Sequence, residues 1–286
     1  MSGYEDNAVL KLVFFLAGAY IMLALTWATF MIVNTTGDNF NIYIIPYISL
    51  PHLSQIGSHW WTVFIYGLFH VPNSFMNMLT NMLWLYTFGS VVQMLVGRKQ
   101  VVPVFLYSMV AGGIFYMLAQ LLPGEMGKCP PYVVGPRAGL VGMCVAAYTL
   151  SPKYRFWFSE TFSLPIAVVA GVFAVLMLLG TGYWVPVMAM IAGGGLMGFI
   201  YVRLLRAGYR PGEWMYDAGD WLTGLVTPAN EKITKNQRGT KWPEQQMHTR
   251  REAEQRIDAI LDKMNQKGFD ALSSEEREIL KKAAQD

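Results

Sequence analysis

Residues 135–153 read GPRAGLVGMCVAAYTLSPK, and the apolar part of this stretch, Ala138–Leu150, is too short to be an ordinary membrane span. A helix crossing the hydrocarbon core needs about 20 residues. A shorter one has to begin inside the membrane depth, where its free N–H groups need a protein-lined or watery cavity. The runs around it are longer: Leu12–Val33, Phe75–Val96, Val101–Leu122, Leu164–Gly180 and Tyr183–Val202. Counting Ala138–Leu150 as the fourth, the pattern predicts an all-α, polytopic membrane protein, a bundle of six spans.

Composition agrees with that pattern. The 286 residues are 53% hydrophobic and 14% charged, with a mean hydropathy of +0.31. Soluble domains carry about 25% charged residues, so an ordinary soluble enzyme is excluded. Residues 207–286 hold 27 of the 41 charges and net about −1. With no basic run interleaved with aromatics, the overall +3 charge gives no reason to expect nucleic acid.

The charges divide the chain into a membrane domain at 1–206, a juxtamembrane linker at 207–248 and a helical hairpin at 249–286. In the hairpin, Ile257, Ile260, Leu261 and Met264 form one face before Gly268, and Ser273–Glu276 opens a second helix with a capping box. So small a hairpin is expected to dock on something. The first apolar run follows Glu5, Asp6 and Lys11, exceeds a signal segment in length and lacks a cleavage site, so it is read as a retained span.

Orientation follows from the basic residues. Arg98 and Lys99, Lys153 and Arg155, and Arg203, Arg206 and Arg210 follow spans two, four and six. Residues 34–74 carry neither Lys nor Arg, and Lys128 and Arg137 are the exceptions on that side. The bias predicts both termini in the cytoplasm. The aromatic, uncharged stretch 34–74, including Trp60 and Trp61, reads as an interfacial structure lying partly in the membrane.

The residues able to carry chemistry are few. Gly135, Gly139 and Gly142 open the fourth span, and Gly193–Gly195 with Gly198 sit midway along the sixth; at helical spacing they make smooth faces for close helix packing. Asn77 and Asn81 share a face of the second span with Asn73 and Thr80 nearby, suited either to bonding across helices or to lining a wet cavity. His52, His59 and His70 have no ligand spacing, and Cys129 and Cys144 cannot build a disulfide scaffold or a thiolate metal site. No metal or other cofactor is implied.

Several motifs together resemble the rhomboid family of intramembrane serine proteases. They are Trp61-Thr62, Phe69-His70, the run Asn81–Gly89, Gly135–Gly142 and Ala192–Gly198. The tail hairpin is similar to the C-terminal extension of some bacterial rhomboids. The resemblance implies a six-span fold, a lateral groove between spans two and five, and a serine–histidine dyad. The family's serine falls two residues after the first glycine of the fourth-span motif, where this sequence has Arg137. Its histidine falls just before the sixth-span glycines, at Ile191. A second-span histidine that assists the oxyanion corresponds to Asn77, while the oxyanion-hole asparagine is kept as Asn81.

Independently of register, no serine lies between Ser108 and Ser151 and no histidine between His70 and His248. A serine nucleophile needs an adjacent base. The resulting expectation is a rhomboid pseudoprotease that binds membrane lipids and other membrane proteins, as a fixed subunit of a multi-subunit inner-membrane complex or as a binder of transmembrane clients. Arg137, Asn77, Asn81 and His70 are the candidate partner or cavity contacts. Two readings stand beside it: an active protease with an unrecognised nucleophile such as Cys144, and a small transporter or channel. Against transport, the spans lack inverted repeats and a broken helix pair.

Overall fold

The computed structural model describes residues 7–33, 38–124, 130, 132–157, 159, 162–180 and 182–215, together with residue 273. The chain divides into two units, Met1–Gly219 and Asp220–Asp286. The expected hairpin at 249–286 and most of the linker at 207–248 lie outside the described residues.

The first unit is built almost wholly of helices. α1 (Ala8–Val33) is followed by three short helices, α2 (Asp38–Tyr43), α3 (Ile56–His59) and α4 (Thr62–Ile65). Then come α5 (Phe75–Val96), α6 (Val101–Ala119) and α7 (Arg137–Leu150). A two-stranded antiparallel hairpin, β1 (Arg155–Trp157) with β2 (Ser163–Pro165), precedes α8 (Ile166–Leu179) and α9 (Val185–Arg206). Arg155 pairs with Pro165 and Trp157 with Ser163. Among the described residues four helices are long and apolar enough to cross a membrane: α1, α5, α6 with its preceding turn, and α9. α7 and α8 are apolar but have 14 residues each.

Every apolar run of the sequence is thus a helix, with corrected ends. Helix is the local solution that pairs each backbone N–H within its own segment, as a lipid surround requires. α1 starts four residues before Leu12, α6 stops at Ala119, and α9 runs on to Arg206. Arg203 and Arg206 fall in the last turn of α9, where the helix dipole favours cations. α8 is shorter than Leu164–Gly180 because Ser163–Pro165 are used in the hairpin, and Pro165 in extended backbone cannot sit inside a helix. That hairpin is a small departure from an all-α chain.

α6, α7 and α9 form the centre. α7 is buried on most faces, by Ala138, Gly139, Leu140, Gly142, Met143, Cys144, Ala146 and Ala147. Such small residues let backbones approach closely. A Cβ built on Gly142 would stand 2.8 Å from the Gly194 carbonyl oxygen and also strike Ser108. Gly194 lies against the Ala138 carbonyl, Gly198 against that of Gly142, and Gly139 would meet the Phe105 ring at 2.6 Å. These four are packing glycines, as read from the sequence. Gly135 is not. Nothing lies within 4 Å of a Cβ there, and its φ of +127° is the reason for glycine.

Residues 38–74 fold onto this centre as a chain of short helices and turns. Phe40 and Ile45 are buried beside Leu23, with Trp27, Phe30, Phe69 and Tyr132 around them. Trp60 and Phe64 stay exposed. The segment also braces the approach to α7. The Leu50 N–H donates to the Val133 carbonyl (2.9 Å) and the Gly135 N–H to the Tyr66 carbonyl (3.1 Å). The Tyr66 hydroxyl, buried in the core, donates to the Met109 carbonyl of α6 (2.8 Å), which avoids the cost of an unpaired polar group. At the other end of the bundle the start of the linker is tied down. The Trp214 Nε1–H donates to the Tyr107 hydroxyl, and that hydroxyl donates to the Pro211 carbonyl.

Candidate functional site

The short α7 begins where the sequence requires it to begin, at the edge of a polar cavity. Pro136 precedes it with no side-chain cap, and Arg137 is its first residue. A cavity of about 400 Å³ opens there, lined by Asn73, Ser74 and Asn77 from the start of α5, Tyr132 and Arg137, and Trp184 and Val187 at the start of α9. Gly180 and Gly182 complete the rim between α8 and α9. Gly182 and Tyr183 take φ values of +62° and +60°, so the chain turns left-handed through two successive residues beside Trp184. For tyrosine that conformation is uncommon and strained.

The structure brings two of the candidate contacts together: Arg137 and Asn77 line the same cavity. Asn81 stands one turn below Asn77, is buried, and its amide Nδ2 reaches the Asn77 Oδ1 at 3.5 Å. The two amides thus meet within α5 and not across helices, with Asn77 facing the cavity and Asn81 supporting it. Ile191 is buried one turn deeper in α9 than Val187 and does not line the cavity. Cys144 is buried two turns along α7 and is likewise absent from the lining.

His70 departs from its expected place. It is buried beside Tyr20, ring edge to ring face, with centroids 6.4 Å apart, and is not among the cavity-lining residues. Among the described residues neither ring nitrogen has a hydrogen-bond partner, and burial lowers its pKa to about 4, so the ring is neutral near pH 7. Tyr20 in turn donates to the Pro72 carbonyl (2.7 Å) and fixes the turn leading into α5. His59 lies apart, against Tyr47 and Trp61 and in contact with the Ser58 hydroxyl. Among the described residues no three of His, Cys, Asp and Glu gather as metal ligands would.

Sequence reasoning did not single out Ser74, Tyr132 or Trp184 as lining residues. Trp184 beside Gly182 carries a signal in hindsight, an aromatic at the mouth of a turn, whereas Tyr132 reaches the site through tertiary folding alone.

Along α5 beyond Asn77, a second cavity opens, apolar and larger, at about 540 Å³. Leu83, Trp84, Thr87, Ser90, Val91 and Met94 of α5 form one wall; Val168, Val169 and Val172 of α8 form the other, with Tyr154, Phe156 and Leu164 of the hairpin region at its end. The two helices meet through the Phe173 ring, which lies 5.0 Å from Trp84 and 5.2 Å from Phe88 between centroids. The apolar cavity thus lies between α5 and α8, the pair between which the resemblance implies a lateral groove.

Chemically, the polar cavity offers a guanidinium, amides, an indole and the hydroxyl-bearing side chains of Ser74 and Tyr132. Among the described residues its lining holds no histidine, cysteine or carboxylate. Such a set can bind and orient a ligand through its donors.

Comparison with known families agrees with the geometry. Residues 57–208 match the Rhomboid domain family, and residues 244–286 match a family of unknown function (DUF6576). No curated protein gives a match. The rhomboid match covers more than half of the chain and takes in α5 to α9, both cavities and the glycine contacts of α7 with α9. This multi-pass membrane protein belongs to the rhomboid family.

Proposed function

We propose that this rhomboid is non-catalytic and binds other membrane proteins, as a subunit of an inner-membrane complex or as a binder of transmembrane clients. The chain crosses the bilayer six times in this reading, with both termini cytoplasmic and the tail hairpin docking on a partner. One observation carries the loss of protease chemistry. Arg137, which the resemblance sets at the position of the family's nucleophile, heads α7 and lines the cavity, and Ile191, which it sets at the position of the base, is buried in α9. A cation that cannot lose its proton is neither nucleophile nor base. The groove between α5 and α8 remains as a surface for a membrane segment to lie against.

Two measurements test this. The purified chain, incubated with a fluorophosphonate probe and a transmembrane rhomboid substrate, is expected to show neither labelling nor cleavage. Labelling abolished by Ser74→Ala or Cys144→Ala would restore an active enzyme. Purification in mild detergent is expected to recover other membrane proteins, and a constant stoichiometry among them favours the subunit role over client binding.

A further inference from the structure

We infer that the cavity at the head of α7 is a carboxylate receptor, in which Arg137, with Asn77 beside it, takes up an acidic side chain on a membrane-spanning segment of another protein lying in the groove between α5 and α8. This rests on the proposed role in binding membrane proteins and names the feature that is read in them.

The first observation is an unmet charge. Arg137 is half-buried, and among the described residues it has neither an ion pair nor a hydrogen-bond partner. Glu213 is paired with Arg210 at 3.0 Å and does not line the cavity, and the described lining holds no carboxylate. A cation partly withdrawn from water is costly until a counter-charge joins it. The guanidinium presents its N–H groups in a planar fork, the shape that meets a carboxylate through two parallel bonds.

The second observation is the company Arg137 keeps. The Asn73 and Asn77 amides and the Ser74 hydroxyl line the same space, so further donors surround the fork, and among the described residues no carboxylate lines it. Ser74 precedes α5 without capping it, which leaves its hydroxyl for the cavity. The first turn of α7 adds uncapped N–H groups, a weaker contribution of the same sign.

The third observation selects the source of the carboxylate. The polar cavity and the apolar groove follow one another along α5, Asn77 at the first and Leu83–Met94 at the second; α8 walls the groove, and Gly180 and Gly182, just past its end, rim the cavity. From Asn77 to Met94 a helix rises about 26 Å, close to the ~30 Å of a hydrocarbon core. A rod with an apolar body and one acidic residue near its end fits both parts at once. A phospholipid offers its charge on a glycerol bearing two acyl chains, both of which would have to follow the charge into a single groove.

The test uses the full chain in phosphatidylcholine nanodiscs. Its probes are two synthetic 25-residue Leu/Ala transmembrane peptides, identical except for one Asp or Asn close to one end. The Asp peptide is expected to bind roughly tenfold more tightly than the Asn peptide, the value of a charge-assisted bond over a neutral one. Arg137→Gln, at an unchanged melting temperature, should erase the difference, and Arg137→Lys should keep part of it. Equal binding of both peptides to the unmodified chain overturns the carboxylate receptor while leaving the binding of membrane segments intact. Binding of neither peptide overturns both readings. Stabilisation by inorganic phosphate or by phosphatidylglycerol that Arg137→Gln removes, with no preference between the peptides, assigns the anion to phosphate and overturns the proposal. If the peptides are told apart only after Glu125→Gln, Arg137 is satisfied within the chain and the proposal falls.

Discussion

At the scale of single residues, the glycines divide into two kinds that sequence spacing could not separate. Gly135, Gly139 and Gly142 lie at i, i+4 and i+7 and read alike, yet Gly142 is confined by Ser108 and the Gly194 carbonyl while Gly135 has open space and a left-handed φ. Gly142→Ala is therefore expected to destabilise by overpacking, by roughly 1–3 kcal/mol, because the groups it meets include backbone that cannot swing away. Gly135→Ala is expected to cost a similar amount for a different reason, the strain of a β-carbon at φ +127°, again about 1–3 kcal/mol. Gly18→Ala on α1, with nothing within 4 Å, should be neutral or gain up to about 1 kcal/mol. Thermal unfolding of the three variants in one detergent checks the order. A Gly135→Ala protein as stable as Gly18→Ala would remove the conformational account of the turn into α7. Arg137 and Asn77 were legible in the sequence because a charge or amide in an apolar run stands out. His70 was legible as a residue but not as a place, since its burial depends on Tyr20, fifty positions away.

At the scale of elements, the helices were legible and their joints were not. α5 starts and ends where its hydropathy does, because Gly97 with φ +91° and the Arg98–Gln100 turn interrupt it in the sequence as they do in space. β1 and β2 were missed because three-residue strands carry no periodicity, and the apolar Leu164 and Pro165 were absorbed into the following helix. Likewise 38–74 was read as one interfacial loop, and its short helices are set by tertiary partners such as Leu50 with Val133. The hairpin matters for function, since it shortens α8 and places Phe156 and Leu164 at one end of the groove. If membrane segments enter between α5 and α8, fixing those helices to each other must exclude them. A bifunctional maleimide bridging Thr87→Cys and Val168→Cys, in a Cys129→Ser background, is expected to abolish co-purification of membrane proteins and binding of the Asp peptide. The same variant carrying one cysteine and the reagent should bind normally. Full binding by the bridged protein would place the docking surface elsewhere.

At the scale of the whole molecule, the lengths of α7 and α8 set a sharper problem than the number of apolar runs. Helices of 14 residues rise about 21 Å, well short of ~30 Å of hydrocarbon, so a six-crossing chain requires each to be completed by something other than helix. The structure supplies the candidates: the Tyr132–Pro136 segment, braced by Leu50 and Tyr66, at the start of α7, and the β1–β2 hairpin with the turn at Gly180–Tyr183 at the two ends of α8. Non-helical backbone at such depth is tolerated where protein or a wet cavity meets its polar groups, and the cavity around Arg137 is one such place. Six crossings then put Lys99, Lys153 and Arg210 on one side of the membrane and Ser58 and Gly182 on the other, in line with the bias of basic residues. Single cysteines at these five positions, treated in intact cells with a membrane-impermeant maleimide, should separate into two classes. Ser58→Cys and Gly182→Cys should be modified before lysis, and the three at the basic positions after it. Modification of Lys153→Cys in intact cells would mean that α7 does not complete a crossing, and the six-crossing reading would fall, because the segment before α7 and the wet cavity around Arg137 would then not make up the length that 14 helical residues lack.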